Sequence, residues 1–289
     1  MDKRNTVLVI GGTGTLGKEV VARFLAMDYK VVVMSRDEEK HYWMQHEYSG
    51  NDNIDFKIGD IRNYSDVCLA VKDAHIVINC AAIKQVPLSE HNPMQAVLTN
   101  IIGPMNIVRA ITEHSFPVKT VVGISTDKAC DAIGVMGMSK ALGERIMIAA
   151  NKGNSKTKYI VLRCANFDSS NGSVIELFRK QIEKGGPVTV THKDMVRYFV
   201  KVEEICDMLT EALANARAGE IYVTNAREVK IIDLAKLMIA DQDIKINYIG
   251  IRPGEKMREI LISENEQASG RCIIRNGYKV IQPEICLTI

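Results

Sequence analysis

The sequence predicts an α/β fold: a doubly wound parallel sheet carrying a smaller C-terminal α/β lobe. Three observations predict it. Short, continuous runs of Val, Ile and Leu recur through the first 165 residues. Most are followed by a segment with helical apolar spacing. A glycine-rich turn, residues 11–17, directly follows the first run. Runs that are apolar at every position suit strands buried on both faces, as in a parallel sheet covered by helices.

Residues 6–10 (TVLVI) read as the first strand and 18–27 as the first helix. Strands are expected at 30–34, 55–58 and 76–80, then a long helix at 94–114. A fifth strand is expected at 120–125, a helix at 139–151 and a sixth strand at 158–163. After Arg163 the rhythm loosens. Helical spacing occurs at 173–184, 202–215 and 231–240, with short strands at 188–190, 220–224 and 245–248. The expected division is a dinucleotide-binding domain at 1–165 and a smaller substrate lobe at 166–289, partly interwoven with the first. Ligands of such folds lie at the carboxyl ends of the strands.

Composition narrows the function. The chain has 289 residues, 46% hydrophobic and 25% charged, with a net charge of +2. That length can bury a large core. So small a net charge gives no electrostatic footprint for nucleic acid or an anionic membrane. No leader pattern precedes the first strand, and no apolar run reaches the ~18–20 residues of a membrane helix. A cytoplasmic protein without a membrane partner is expected. Seven scattered cysteines with no C-x-x-C predict free thiols rather than disulfides or a metal site.

The cofactor signal is Gly11-Gly12-Thr13-Gly14-Thr15-Leu16-Gly17. The glycines permit a tight turn and close approach of backbone to a pyrophosphate, which then meets helix-start amides. The second strand ends in Ser35-Arg36-Asp37-Glu38. An acidic tip residue would bond the ribose of NAD, whereas an arginine suits the 2′-phosphate of NADP. Ser35 and Arg36 come first, so NADP is expected in preference to NAD, with Asp37 as the NAD alternative. Asp60 and Ile61 after the third strand are placed near the adenine. Ala81 and Ala82 after the fourth supply small residues where the cofactor passes close to backbone.

Residues 121–140, VVGISTDKACDAIGVMGMSK, carry the chemistry. Asp127 and Lys128 form an acid-base pair beyond the fifth strand, after Thr126. Lys140 follows on the next helix, one turn beyond Met136.

GGTGTLG, SRDE, GDIRN, NCAAIKQVPLSEHNPMQAVLTNIIG, ISTDKA and GIRPGEKMREILISENE occur in this order. Over residues 6–267 the chain resembles the extended short-chain dehydrogenase/reductases. Within them it resembles the inverting UDP-N-acetylglucosamine 4,6-dehydratases of bacterial surface-polysaccharide and nonulosonic (pseudaminic) acid synthesis. AAIKQVP and STDKA carry the resemblance more specifically than the glycine motif does.

The resemblance implies a tightly held NADP that is reduced and reoxidised within each turnover. It implies UDP-N-acetylglucosamine or a derived UDP-sugar as substrate, and a homo-oligomer, dimer or hexamer. It places Lys84 and Asn100 at the cofactor, Lys84 also at the substrate, and Lys140 at the nicotinamide ribose. Lys128 would take the C5 proton and Asp127 serve the C6 oxygen. Asn166, Ser173, Arg197, Arg252 and Glu255 would bind substrate, the arginines by diphosphate and uridine-ribose contacts.

The chain departs from the family pattern in three places. Met136 stands at the usual tyrosine, so the C4 proton needs another route: Lys128, Thr126 or a water. R-Y-G-N becomes Arg163-Cys164-Ala165-Asn166, and S-R-G-S becomes Ser170-Asn171-Gly172-Ser173. The alternatives are an enzyme that makes or uses a 5,6-ene UDP-sugar, a UDP-sugar epimerase or reductase, and a non-catalytic NADP sensor.

Overall fold

The computed structural model describes residues 5–153, 156–168 and 172–284. The first half alternates strands and helices: β1 Thr6–Ile10, α1 Thr15–Ala26, β2 Lys30–Ser35, α2 Glu38–Glu47, β3 Ile54–Ile58, α3 Tyr64–Val71 and β4 Ile76–Asn79. Next come α4 Val86–His91, α5 Pro93–Val97, a π-helical turn Leu98–Ile102, α6 Gly103–His114, β5 Thr120–Thr126, α7 Val135–Ala149 and β6 Lys158–Cys164. The rest comprises β7 Asn166–Phe167, α8 Val174–Glu183, β8 Val188–Val190, β9 Val196–Val200, α9 Val202–Asn215, β10 Ile221–Val223 and β11 Arg227–Lys230. It ends with α10 Ile231–Ile239, β12 Ile246–Tyr248, α11 Glu264–Ala268, β13 Cys272–Arg275 and β14 Tyr278–Ile281.

The nine-stranded sheet runs β13-β14-β10-β6-β5-β4-β1-β2-β3. From β3 to β10 the pairing is parallel, and the β13-β14 hairpin adds an antiparallel edge. Val7 pairs with Val31 on one side and Ile76 on the other, so strand order reverses at β1. A cleft opens at such a reversal, beyond the carboxyl ends of the strands. One face packs Val7, Val9, Val20 and Phe24 with Ile205 and Met208 of α9. The other packs Leu8, Ile10 and Val121 with Ile107 of α6 and Met147 of α7. Strand residues are therefore buried on both faces, the physical reason for the unbroken apolar runs. This is the expected doubly wound fold. No helix among the described residues is long and apolar enough to cross a membrane.

Several elements differ from expectation in ways that matter for the site. Helix α1 starts at Thr15, so the glycine turn feeds straight into it. The long helix expected at 94–114 is interrupted by the π turn, which contains Thr99 and Asn100. Helix α7 starts at Val135 rather than 139, so Met136 and Lys140 share it. Glycine at 137 obscured that start. A Cβ there would lie 2.3 Å from the Lys128 carbonyl oxygen, so glycine lets α7 press against the Lys128 turn.

The strand expected at 220–224 within the lobe is β10 of the large sheet. Its three residues are all buried, and Tyr222 pairs with Leu162 of β6. The chain thus leaves the large sheet after β6 and returns to it twice, at β10 and at the hairpin. The lobe holds β11-β9-β7 and β12-β8 with α8 and α10, around Phe178, Val188, Val190, Met195, Ile231 and Ile239.

Candidate active site

A cavity of about 700 Å³ runs along the carboxyl ends of the strands and into the lobe. At one end the glycine turn forms a cradle. Gly11 has φ +77°, and a Cβ there would lie 2.7 Å from the Ala81 nitrogen. The N-cap of α1 is Gly14, with no side-chain cap and no acidic residue in the first turn. Its amides are left for an anion, so the residues fit a dinucleotide pyrophosphate. Thr13, Thr15, Leu16 and Gly17 line the same wall, as do Ile61, Ala81 and Ala82.

At the end of β2, the Thr13 hydroxyl donates to Ser35 Oγ at 2.9 Å. Arg36 is exposed over the cavity, 3.9 Å from Asp60. Asp37 also lines the cavity, tied to Lys40. It caps α2 by accepting from the Lys40 amide at 3.1 Å, and pairs with Lys40 Nζ at 2.6 Å. Those Lys40 bonds hold its carboxyl below the usual range. Asp60 is held in the same sense by Arg62, whose Nε lies 2.9 Å from Oδ1. Lys40 lines the cavity too, a residue sequence reasoning missed. Its signal was a lysine one helical turn after the strand tip.

Beyond β5 the chain turns through a short 3₁₀ segment, Asp127–Ala129. Lys128 Nζ reaches the cavity and donates to Asp127 Oδ1 at 2.9 Å and to Asn166 Oδ1 at 3.0 Å. Asn166 is fixed in turn by donating to the Tyr198 carbonyl at 2.9 Å. Thr126 Oγ1 donates to Asp127 Oδ1, also at 2.9 Å. Asp127 itself is fully buried and does not line the cavity. Asp127 therefore sits directly behind the cavity wall. The 3₁₀ turn directs its carboxylate inward, under Thr126, Lys128 and Asn166.

Met136 lies in the first turn of α7, buried, with its side of the helix facing the cavity. Lys140, one turn on, donates to the Ile124 carbonyl at 2.5 Å. Burial pushes its ammonium pKa down. Asn100, in the π turn, is buried behind the cavity wall. Its Oδ1 accepts from the Ile83 amide, and its Nδ2 donates to the Ile83 carbonyl and Ser139 Oγ, at 2.9–3.0 Å. It clamps the loop after β4 to the π turn and α7.

Toward the lobe, Lys84, Ser173, Arg197, Arg252 and Glu255 line the cavity. Ser173 caps α8, accepting from the Glu176 amide. Arg197 is buried and donates to the Val196 carbonyl at 2.8 Å. Arg252 pairs with Glu255 at 2.5 Å. Burial alone would raise the Glu255 pKa, yet Arg252 holds it low. Ser170 and Asn171 lie outside the described residues. Ser125, Thr99 and Glu259, none of them anticipated, also line the cavity, and each has a buried polar atom without a hydrogen-bond partner. Ser125 was legible as the first polar residue after an apolar run, and Glu259 as an acid inside RPGEKMREI.

Arg163, the first residue of the altered R-Y-G-N segment, faces away from this chemistry. It is buried between Glu144 of α7 at 2.8 Å and Glu266 of α11 at 2.9 Å.

The chain is similar to known proteins over most of its length. UDP-glucose 4-epimerase of Rickettsia bellii (strain OSU 85-389) is 40% identical over 284 residues, 95% of this chain and 82% of that one. UDP-N-acetylglucosamine 4,6-dehydratase (inverting) of Campylobacter jejuni serotype O:2 is 34% identical over 291 residues, 99% of this chain and 85% of that one. The X-ray structure of Pen from Bacillus thuringiensis superposes with a TM-score of 0.91 at 36% identity, covering 96% of this chain and 88% of Pen. The polysaccharide biosynthesis protein family model matches residues 7–275. With its Rossmann sheet and glycine cradle, the chain belongs to that family, among the extended short-chain dehydrogenase/reductases with sugar-nucleotide dehydratase and epimerase relatives.

Proposed function

We propose that the protein is an NADP-dependent, C5-inverting UDP-N-acetylglucosamine 4,6-dehydratase of surface-polysaccharide or nonulosonic acid synthesis. The observation that carries this is Lys128, its amine facing the cavity between Asp127 and Asn166 at the carboxyl end of β5. A 4,6-dehydration needs a base at C5, whereas a 4-epimerisation needs none there.

The glycine cradle and the α1 amides would hold the pyrophosphate, with Ser35 and Arg36 at the 2′-phosphate. The nicotinamide supplies hydride acceptance and return. Lys140 would bond the nicotinamide ribose. Arg197 and Arg252 would meet the diphosphate, for which a forked guanidinium is suited. Thr126 Oγ1 would take the C4 hydroxyl proton while passing its own to Asp127 Oδ1, the acceptor 2.9 Å away. Lys128 Nζ would remove the C5 proton, held on line by Asn166. Exposed Met105, Met138 and Leu142 on α6 and α7 offer an apolar surface for self-association.

Incubation of the NADP-loaded protein with UDP-N-acetylglucosamine tests the proposal. Loss of one water, read by mass spectrometry, is the expected result. An isomer of unchanged mass would indicate an epimerase, and unchanged substrate a sensor. Met136 favours one second reading, a partial reaction that stops at or begins from a 5,6-ene sugar. A thioether exchanges no proton at the position where such enzymes usually carry a phenol. Deuterium placed at C4 would reach C6 of the product only in the full cycle.

A further inference from the structure

Helix α7 carries Met136 and Lys140, yet its own residues leave its start uncapped. The N-cap is Gly134, without a side chain to accept, and the first turn holds no acidic residue. First-turn amides of a helix need an acceptor from elsewhere. Glu90 of α4, 45 positions earlier, supplies one: its Oε1 accepts from the Val135 amide at 2.7 Å. A carboxylate there also meets the positive end of the helix dipole.

Two glycines make room for that oxygen. A Cβ on Gly134 would lie 2.7 Å from Glu90 Oε1, and a Cβ on Gly254 would lie 2.7 Å from the same atom. A Cβ on Gly134 would also lie 2.9 Å from the Gly254 Cα. Gly254 has φ +77°, where a glycine is at ease and other residues are strained. Glu90, Gly134 and Gly254 thus meet at one point, and three walls of the cavity meet with them. Lys84 precedes α4, Met136 and Lys140 follow Gly134 in α7, and Arg252 and Glu255 flank Gly254. All five line the cavity, whereas Glu90 does not.

The three walls depend on this joint unequally. Lys140 is anchored separately, on the Ile124 carbonyl at 2.5 Å. The glycine cradle is built on β1 and α1. Residues 252–256 form no helix or strand, so side contacts must hold them. Lys256 donates to the Cys130 carbonyl at 2.6 Å, and Gly254 rests against Glu90.

We propose that Glu90 is a positioning residue for the substrate. It seats the Arg252–Glu255 turn against the start of α7 and so fixes where the Arg252 guanidinium meets a diphosphate. This role rests on the UDP-sugar reading of the site. Loosening the joint should displace Arg252 and spare the cofactor.

The test is calorimetry of the NADP-loaded full chain, with UDP as the probe. Glu90→Ala should bind UDP about tenfold more weakly, a loss of ~1.4 kcal/mol. Its NADP affinity should stay within about twofold of wild type in titrations of the free protein. Glu90→Gln keeps the shape and an acceptor oxygen for the Val135 amide, so it should restore most of the UDP affinity. Arg252→Ala weakens UDP by itself, and adding Glu90→Ala should then cost less than about twofold more, because the joint acts through that arginine. A merely structural Glu90 would weaken UDP and NADP together and would add its full loss to Arg252→Ala. Either result would overturn the proposal. So would UDP affinity within about twofold of wild type in folded Glu90→Ala. A wild-type protein that does not bind UDP would instead overturn the UDP-sugar reading, and with it this role.

Discussion

Lys128 Nζ donates to Asn166 Oδ1 across 3.0 Å, joining the end of β5 to the start of β7. The bond aims an amine that Asp127 alone would leave free to pivot. Lys128→Ala should cost ~10²–10⁴-fold in dehydration, the usual scale for losing general acid-base help. Asp127→Asn should cost nearly as much, because Thr126 then loses its proton acceptor. Asn166→Ala should lower kcat about tenfold with little change in KM, an orientation effect worth about 1.4 kcal/mol. NADP titrations should match wild type in all three, and Lys128→Ala should melt lower, because the buried Asp127 carboxylate loses its cation. Wild-type turnover in Lys128→Ala would place the chemistry elsewhere.

Arg36 and Lys40 concern the cofactor. Under the NADP proposal, Arg36, Lys40 and the Ser35 hydroxyl at the strand tip would meet the 2′-phosphate, while Asp37 caps α2. Arg36→Ala should weaken NADP binding about tenfold and leave NAD binding unchanged. A charge-assisted hydrogen bond is worth ~1.5–3 kcal/mol, and the exposure of Arg36 sets the lower end. Calorimetry that finds wild type preferring NAD would refute this assignment.

Met136 is buried, so its replacement is a packing experiment as well as a mechanistic one. Met136→Leu preserves volume and apolar character, which cores tolerate at a cost below ~1.5 kcal/mol. Substantial dehydration should survive. Met136→Tyr places a phenol at the usual family position but must fit it beside Lys128 and Glu259. Lower stability and lower activity are expected. Loss of all activity in a well-folded Met136→Leu protein would assign chemistry to the sulfur.

The legible part of the molecule was the part dictated by local pattern. TVLVI, KVVVM and VVGIS are buried on both faces, so their composition alone marked them as interior strands. The glycine turn and Lys128 follow directly on those strands, and Met136 opens the next helix. What escaped notice depends on contacts distant in sequence. Asn100 binds Ile83, seventeen positions away, through both ends of its amide. Asp127 is enclosed by Asn166, 39 positions away. Strand β10 was assigned to the lobe because nothing in IYV says that its neighbour is β6. Helix α2, EEKHYWMQHE, buries only His41 and Met44 and carries no strong apolar period.

The raised pKa of Glu259 makes a separate prediction about stability. Its ordinary value is 4.5, and burial lifts the folded-state value above that. A carboxyl with a folded pKa above its unfolded one binds its proton more tightly when folded. The stability it contributes is therefore full below the unfolded value and is lost as pH rises through the folded value. Glu259→Gln removes the titration while keeping the shape of the acid form. The variant should melt close to wild type below pH 4.5. At neutral and alkaline pH it should melt a few degrees higher, because wild type then holds a buried carboxylate that Lys256 reaches only at 3.6 Å. Matched scanning calorimetry across this range checks both the sign and the window. A Glu259→Gln protein that is less stable than wild type at high pH would show that the carboxylate form is the one the fold prefers.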